Sequence, residues 1–160
     1  MNIALKREDL LKSLQSIIGV VEKRQTMPIL ANVLLSCESN VLTLTATDLE
    51  VELISTFNID SSDSLTTTLP GRKLLDICRS LPEGSIISIG VNGKKAVITS
   101  GKSKFSLTTL PTNEFPLIPN INGEQQIKIN QSDLRYLIEK IVTDEFNYFF
   151  LPLSNILDGH

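Results

Sequence analysis

Leu65-Thr66-Thr67-Thr68-Leu69-Pro70-Gly71-Arg72-Lys73-Leu74-Leu75-Asp76-Ile77-Cys78-Arg79-Ser80-Leu81-Pro82-Glu83-Gly84 reads in order as a strand, a joint, a helix and a stop. Threonines between leucines over 65–69 favour an extended chain, and Pro70-Gly71 interrupts it. From Arg72 the period changes. Leu74, Leu75, Ile77, Cys78 and Leu81 recur at three- and four-residue spacing, the apolar stripe of a helix over 72–81. Pro82-Glu83-Gly84 ends it. Three strands are predicted to follow, over 85–91, 96–100 and 105–110, with Asn92-Gly93 as a tight hairpin between the first two.

The same order stands upstream. Residues 3–6 alternate weakly as a strand. Leu10, Leu11, Leu14, Ile17, Ile18 and Val21 then form a helical stripe of about four turns. Glu8 and Asp9 suit the positive end of that helix, and Lys23 and Arg24 its negative end. Strands are predicted over 32–36, 41–47 and 49–57. In the last of these, Val51 and Leu53 take the core face and Glu50 and Glu52 the solvent face. The fold class is therefore α+β, a doubled β-α-β-β-β unit. Its two helices are expected side by side on one face of a mainly antiparallel sheet. A third copy begins further on. Asn2 to Leu10 aligns without a gap on Gln126 to Leu134, a constant 124 residues apart, and Ile3/Ile127, Asp9/Asp133 and Leu10/Leu134 are identical. Prolines, asparagines and a glycine cluster over 116–123 and mark a boundary. We expect a first domain over 1–120, and over 121–160 the incomplete start of a second with a divergent tail.

Little in the chain offers chemistry. There is no phosphate-cradling glycine loop, no CxxC pair and no HExxH, and the single histidine of the 160 residues is His160. No catalytic residue, metal ligand set or cofactor is predicted. Asp48, Glu50 and Glu52 share a strand face, but they read as a solvated reverse. Cys37 and Cys78 sit in apolar company and read as inert core thiols. No stretch approaches the roughly 20 apolar residues of a membrane span, and the N-terminus lacks signal-peptide order. A cytoplasmic protein with reduced thiols is expected.

The net charge of −3 hides strong segregation. Residues 25–71 hold six acids and no Lys or Arg, whereas residues 72–104 hold seven basic residues against two acids. Arg72, Lys73 and Arg79 fall on the second helix, with Arg72 and Arg79 on a shared outward face. Lys12 and Lys23 fall on the first, and Arg24 just beyond it. Such cations suit non-specific phosphate contact. No aromatic residues interleave with them to stack bases, so duplex DNA backbone fits better than single strands.

These residues also carry a family resemblance. Arg7-Glu8-Asp9-Leu10-Leu11-Lys12, Thr26-Met27-Pro28-Ile29-Leu30-Ala31-Asn32-Val33-Leu34-Leu35 and Leu42-Thr43-Leu44-Thr45-Ala46-Thr47-Asp48-Leu49-Glu50 resemble segments of bacterial DNA polymerase III beta subunits, the sliding clamps. The helix around Arg72 and the run Phe105-Ser106-Leu107-Thr108-Thr109-Leu110-Pro111 do so too. The resemblance runs from residue 1 to about 140. It implies three similar domains per protomer, and a homodimer ring around duplex DNA that tethers the replicative polymerase without catalysing a reaction. It implies DNA contacts at Arg24 and Arg72, with Lys73 and Arg79 beside them. Phe105 and Leu107 would close the dimer interface, with Ile77 and Leu81 nearby. Polymerase and clamp-loader contacts would lie in domains beyond those matched here.

After Lys140, Asp144-Glu145-Phe146-Asn147-Tyr148-Phe149-Phe150 departs from the family pattern, and its aromatics are expected to be unburied. The other reading is a stand-alone module that occupies a clamp interface through Phe105 and Leu107 and regulates ring assembly.

Overall fold

The computed structural model describes residues 2–21, 27–61, 63–118 and 128–149, with side chains described through residue 141. The chain divides into two compact units, Met1–Pro119 and Asn120–His160. The first contains β1 (Asn2–Lys6), α1 (Arg7–Ile17), β2 (Asn32–Glu38), β3 (Val41–Thr47), β4 (Glu52–Asn58), β5 (Leu65–Pro70), α2 (Gly71–Ser80), β6 (Ile86–Asn92), β7 (Lys95–Ser100) and β8 (Ser103–Thr108). The doubled unit is present, and its expected single sheet is two antiparallel sheets, β1-β6-β7-β8 and β4-β3-β2-β5. Each half has exchanged its first strand. β1 pairs with β6, Ile3 opposite Ile89, and β5 pairs with β2, Leu69 opposite Val33. A strand-helix-strand step within one sheet gives parallel neighbours. The exchange lets every pair be antiparallel, and it makes each half incomplete without the other.

One core joins both halves. Leu10, Leu14 and Ile17 of α1 and Leu74, Leu75 and Cys78 of α2 meet Ile3, Ile87, Ile89 and Ile98 from one sheet and Val33, Leu35, Leu42 and Leu44 from the other. Burying each such leucine or isoleucine contributes about 1.5–3 kcal/mol. Cys37 and Cys78 are free and buried in this core, and burial pushes the Cys78 thiol up to about 11. A thiol so far from ionisation is a poor nucleophile.

Several local expectations shift. Helix α1 stops at Ile17 and continues only as a 3-10 turn over Ile18–Val20, so Lys23 and Arg24 are not in its last turn; both lie outside the described residues. The strand expected from residue 49 starts at Glu52. Asp48 Oδ1 accepts the N–H groups of Glu50 at 3.0 Å and Val51 at 2.8 Å, and Leu49 adopts φ +80°. This aspartate turn outcompetes the alternating pattern, and it leaves Val51 exposed instead of in the core. The second hairpin turns at Gly93-Lys94, one residue later than expected, with Asn92 opposite Lys95 and Gly93 at φ +58°.

The chain leaving β8 does not enter a loose linker at once. It crosses the outer face of the second sheet. Thr68 Oγ1 donates to the Leu110 carbonyl (2.9 Å) and accepts the Leu110 N–H (3.0 Å) and Asn32 Nδ2 (3.0 Å). Phe115 is buried with Ile29 and Leu30 in a second small core, flanked by Leu34 and Leu110. The Ile118 N–H then reaches Glu52 Oε2 at 3.3 Å.

The second unit contributes α3 (Gln131–Phe149). Lys128-Ile129-Asn130 is not a strand, although the repeat aligns it with β1. In the first unit β1 is held by β6, and no such partner strand is present among the described residues here. The aromatics Phe146, Tyr148, Phe149 and Phe150 have no described side chains.

Glu8 supplies a tie with a pH signature. Its carboxylate accepts the Gly84 N–H at 2.8 Å and Arg7 Nη1 at 3.4 Å, so the start of α1 holds the turn after α2. The Gly84 bond is the main reason its pKa lies below the ordinary glutamate value. A depressed folded pKa stabilises above the unfolded value, and that contribution is lost as pH falls through the folded pKa. Glu8→Gln, which mimics the protonated form, is expected to lower stability modestly at neutral pH, to leave it nearly unchanged at pH values below the folded pKa, and so to flatten this part of the stability profile. Urea unfolding across a pH series checks it.

Candidate nucleic-acid interface

Helices α1 and α2 lie against each other and against the β4-β3-β2-β5 sheet. Their inward stripes are apolar, so their polar positions must face out. Lys12, Lys73 and Arg79 are exposed there, with Glu8, Asp9 and Asp76 among them. The described surface is thus mixed in sign, more than the segment charges suggested. Arg79 pairs loosely with Asp76 at 4.0 Å, and both side chains are well exposed. Exposed pairs of this kind contribute about 0–1 kcal/mol, so Arg79 is free to exchange partners. Neither Lys12 nor Lys73 forms an ion pair among the described residues.

Arg72 does not stand outward beside Arg79. Its Nε and Nη2 both donate to the Val21 carbonyl, at 3.0 and 2.6 Å. Arg7, only 12% exposed, does the converse and donates from Nε to the Cys78 carbonyl at 2.8 Å. Each half thus sends an arginine from the start of its helix to carbonyls near the end of the other half's helix segment. Those carbonyls lack intrahelical partners and carry the negative end of the helix dipole. Hydrogen bonds to a charged group contribute about 1.5–3 kcal/mol. Sequence reasoning missed Arg7. The signal was present, an arginine opening the helix in both copies. A guanidinium has five N–H donors, so Arg72 keeps three for another acceptor while holding Val21. Arg24 lies outside the described residues.

The expected interface positions sit deeper. Leu107 and Ile77 are each 9% exposed and Leu81 5%, all within the main core, and Phe105 is half-buried against it on β8. Phe105 alone of the four keeps substantial surface. Among the described residues no group of three or more His, Cys, Asp or Glu gathers as a metal site, and no helix is long and apolar enough to cross a membrane.

Comparison with known proteins agrees with this geometry. The chain is 48% identical over 141 residues to a beta sliding clamp of Vibrio harveyi, covering 88% of this chain and 97% of that relative. It is 44% identical to the beta sliding clamp of Vibrio cholerae, covering 99% of this chain and 45% of the relative. The crystal structure of the DNA polymerase III subunit beta from Pseudomonas aeruginosa superposes with a TM-score of 0.82 at 45% identity, over 87% of this chain and 38% of that one. The chain thus spans less than half the length of the V. cholerae and P. aeruginosa proteins. Residues 1–119 match the model of the DNA polymerase III beta subunit N-terminal domain, and the chain belongs to that family.

Proposed function

We propose that residues 1–120 act as one arc of a ring that encircles duplex DNA and tethers a replicative polymerase to it, in the cytoplasm and without catalysing a reaction. Residues 121–160 begin a second copy of the same domain. The observation that carries this reading is the pair of adjacent helices. They present Lys12, Lys73 and Arg79 outward, with no aromatic residue on either helix and with acids interspersed. That surface is cationic enough to touch phosphates and too sparse to grip them, which a sliding ring needs. Ring closure falls to the β8 edge around Phe105 and Leu107. Polymerase and clamp-loader contacts fall to the parts of the relatives that this chain does not match. The relatives' names favour this reading over a stand-alone regulator of ring assembly.

The test is the salt dependence of duplex binding in a complete ring that carries this domain. Freeing one phosphate from its cation lowers the slope of log K against log salt by about 0.9. Lys73→Ala with Arg79→Ala is expected to flatten the slope by roughly twice that amount while leaving stability nearly unchanged. Arg24→Ala is expected to act the same way. Arg72→Ala should both flatten the slope and destabilise the domain, because it also releases Val21. An unchanged slope in the Lys73/Arg79 variant would remove the helices from the DNA surface.

A further inference from the structure

A cleft of about 350 Å³ opens where the two sheets meet, between β5 of one and the β6-β7 turn and the end of β8 of the other. Val91, Leu110 and Pro111 wall it, Thr67 lies inside, and Thr109 and the exposed Lys94 lie toward its mouth. Small-molecule pockets run from about 300 to 1,000 Å³, so the cleft suits a compact ligand. Its walls are fixed within the fold. Thr68 ties Leu110 on one side at 2.9 and 3.0 Å. On the other, the Thr109 N–H donates to the Lys94 carbonyl at 3.0 Å. Gly93, at φ +58°, makes the tight turn that brings Lys94 to the mouth.

Thr67 is the residue that packing alone does not explain. It stands between Leu65 and Leu69 on the inward face of β5 and is 3% exposed. Its hydroxyl has no hydrogen-bond partner among the described residues. Among those residues no fully buried polar side-chain atom lacks a partner. The part of Thr67 left open is therefore its hydroxyl, and it opens onto the cleft. Valine would fill the position with no polar group to desolvate. Lys94 forms no ion pair among the described residues, and no Asp or Glu occurs between Glu83 and Glu114. Both groups can donate, so both favour an acceptor. One cation beside apolar walls suits one negative charge on an apolar body, whereas a phosphate calls for more donors. We propose that the cleft binds a small monocarboxylate with a compact apolar body. Its carboxylate oxygens accept from Lys94 Nζ and Thr67 Oγ1, and its body packs on Val91, Leu110 and Pro111. The site lies within the first unit and shares no residue with the helix cations or with Phe105 and Leu107, so it stands apart from the ring reading.

The experiment is a titration of the isotope-labelled full chain with phenylacetate, followed by amide chemical shifts. Phenethyl alcohol keeps the body without the charge, and acetate keeps the charge without the body. The expected result is a saturable shift at the amides of Thr67, Lys94, Thr109 and Leu110, with both controls about tenfold weaker or more. Lys94→Met should weaken phenylacetate about tenfold, the loss of one charge-assisted hydrogen bond, and Lys94→Arg should keep most of the affinity. Thr67→Val keeps the side-chain shape and should weaken it about fivefold, with circular dichroism confirming the fold. Lys102→Met, on the turn between β7 and β8, should leave binding unchanged. Shifts that do not saturate, or that fall outside the cleft, overturn the proposal. Phenethyl alcohol binding as tightly as phenylacetate overturns it too, and so does an affinity that survives both Lys94→Met and Thr67→Val. DNA binding is read on the helix cations, so either reading can fail alone.

Discussion

Leu14→Ala is expected to lower the stability of the first unit by about 2–5 kcal/mol. The equivalent truncation in the third copy, Ile138→Ala, is expected to cost less than about 0.5 kcal/mol. Urea unfolding followed by far-UV circular dichroism measures both. Leu14 is 0% exposed, on the face of α1 that meets α2 and the β3 and β4 strands. Truncation removes its hydrophobic transfer energy and opens a cavity between elements from both halves. Those elements cannot close up easily, because the exchanged strands β1 and β5 fix the spacing of the two sheets. Ile138 occupies the same register 124 residues later and is 52% exposed. It has little burial to lose. Equal costs at the two positions would show that the α3 stripe is covered as fully as that of α1.

This contrast also shows what was legible in the sequence. The stripe Leu10, Leu14, Ile17 and Val21 and the stripe Leu74, Leu75, Cys78 predict which faces of the helices are buried, because helical periodicity is local. The strands around Thr43 and Ile98 are legible for the same reason. Strand exchange is not. Ile3 carries the same alternation whether its neighbour is β2 or β6, since pairing partners are set by the whole core and not by the strand's own pattern. The turn at Asp48 was hidden by Leu49-Glu50-Val51-Glu52-Leu53, whose alternation is real but weaker than two side-chain hydrogen bonds to successive N–H groups. At the candidate interface, the spacing of Arg72 and Arg79 placed them on one face. Only the packing reveals that the Val21 carbonyl draws Arg72 inward. Arg7 finds its partner, the Cys78 carbonyl at 2.8 Å, 71 residues along the chain, a pairing that no local pattern reports.

The chain's exit from the first unit is anchored at its start by one hydroxyl, that of Thr68. Thr68→Val is expected to destabilise the unit by about 2–3 kcal/mol, and Thr68→Ser by much less. Thr68 is 0% exposed, and its hydroxyl is saturated, with one hydrogen donated to the Leu110 carbonyl and two bonds accepted, from the Leu110 N–H and Asn32 Nδ2. Valine keeps the shape and β propensity of threonine, so the core and strand β5 are unaffected. It leaves the Asn32 amide and both Leu110 backbone groups without their partner. A buried group left unsatisfied costs about 1–3 kcal/mol. Leu110 is only half-buried and can recover water for its share, which holds the total below the sum. Serine retains all three bonds and gives up one methyl. The effect of the valine variant should also spread along the chain. With Leu110 released, Phe115 is no longer held on both sides against Ile29 and Leu30, so backbone amides over 110–118 should exchange faster while those of β6 and β7 keep their protection. Hydrogen exchange separates this local release from general destabilisation. Uniform loss of protection, or equal costs for valine and serine, would mean that the methyl of Thr68 and not its hydroxyl carries the anchor.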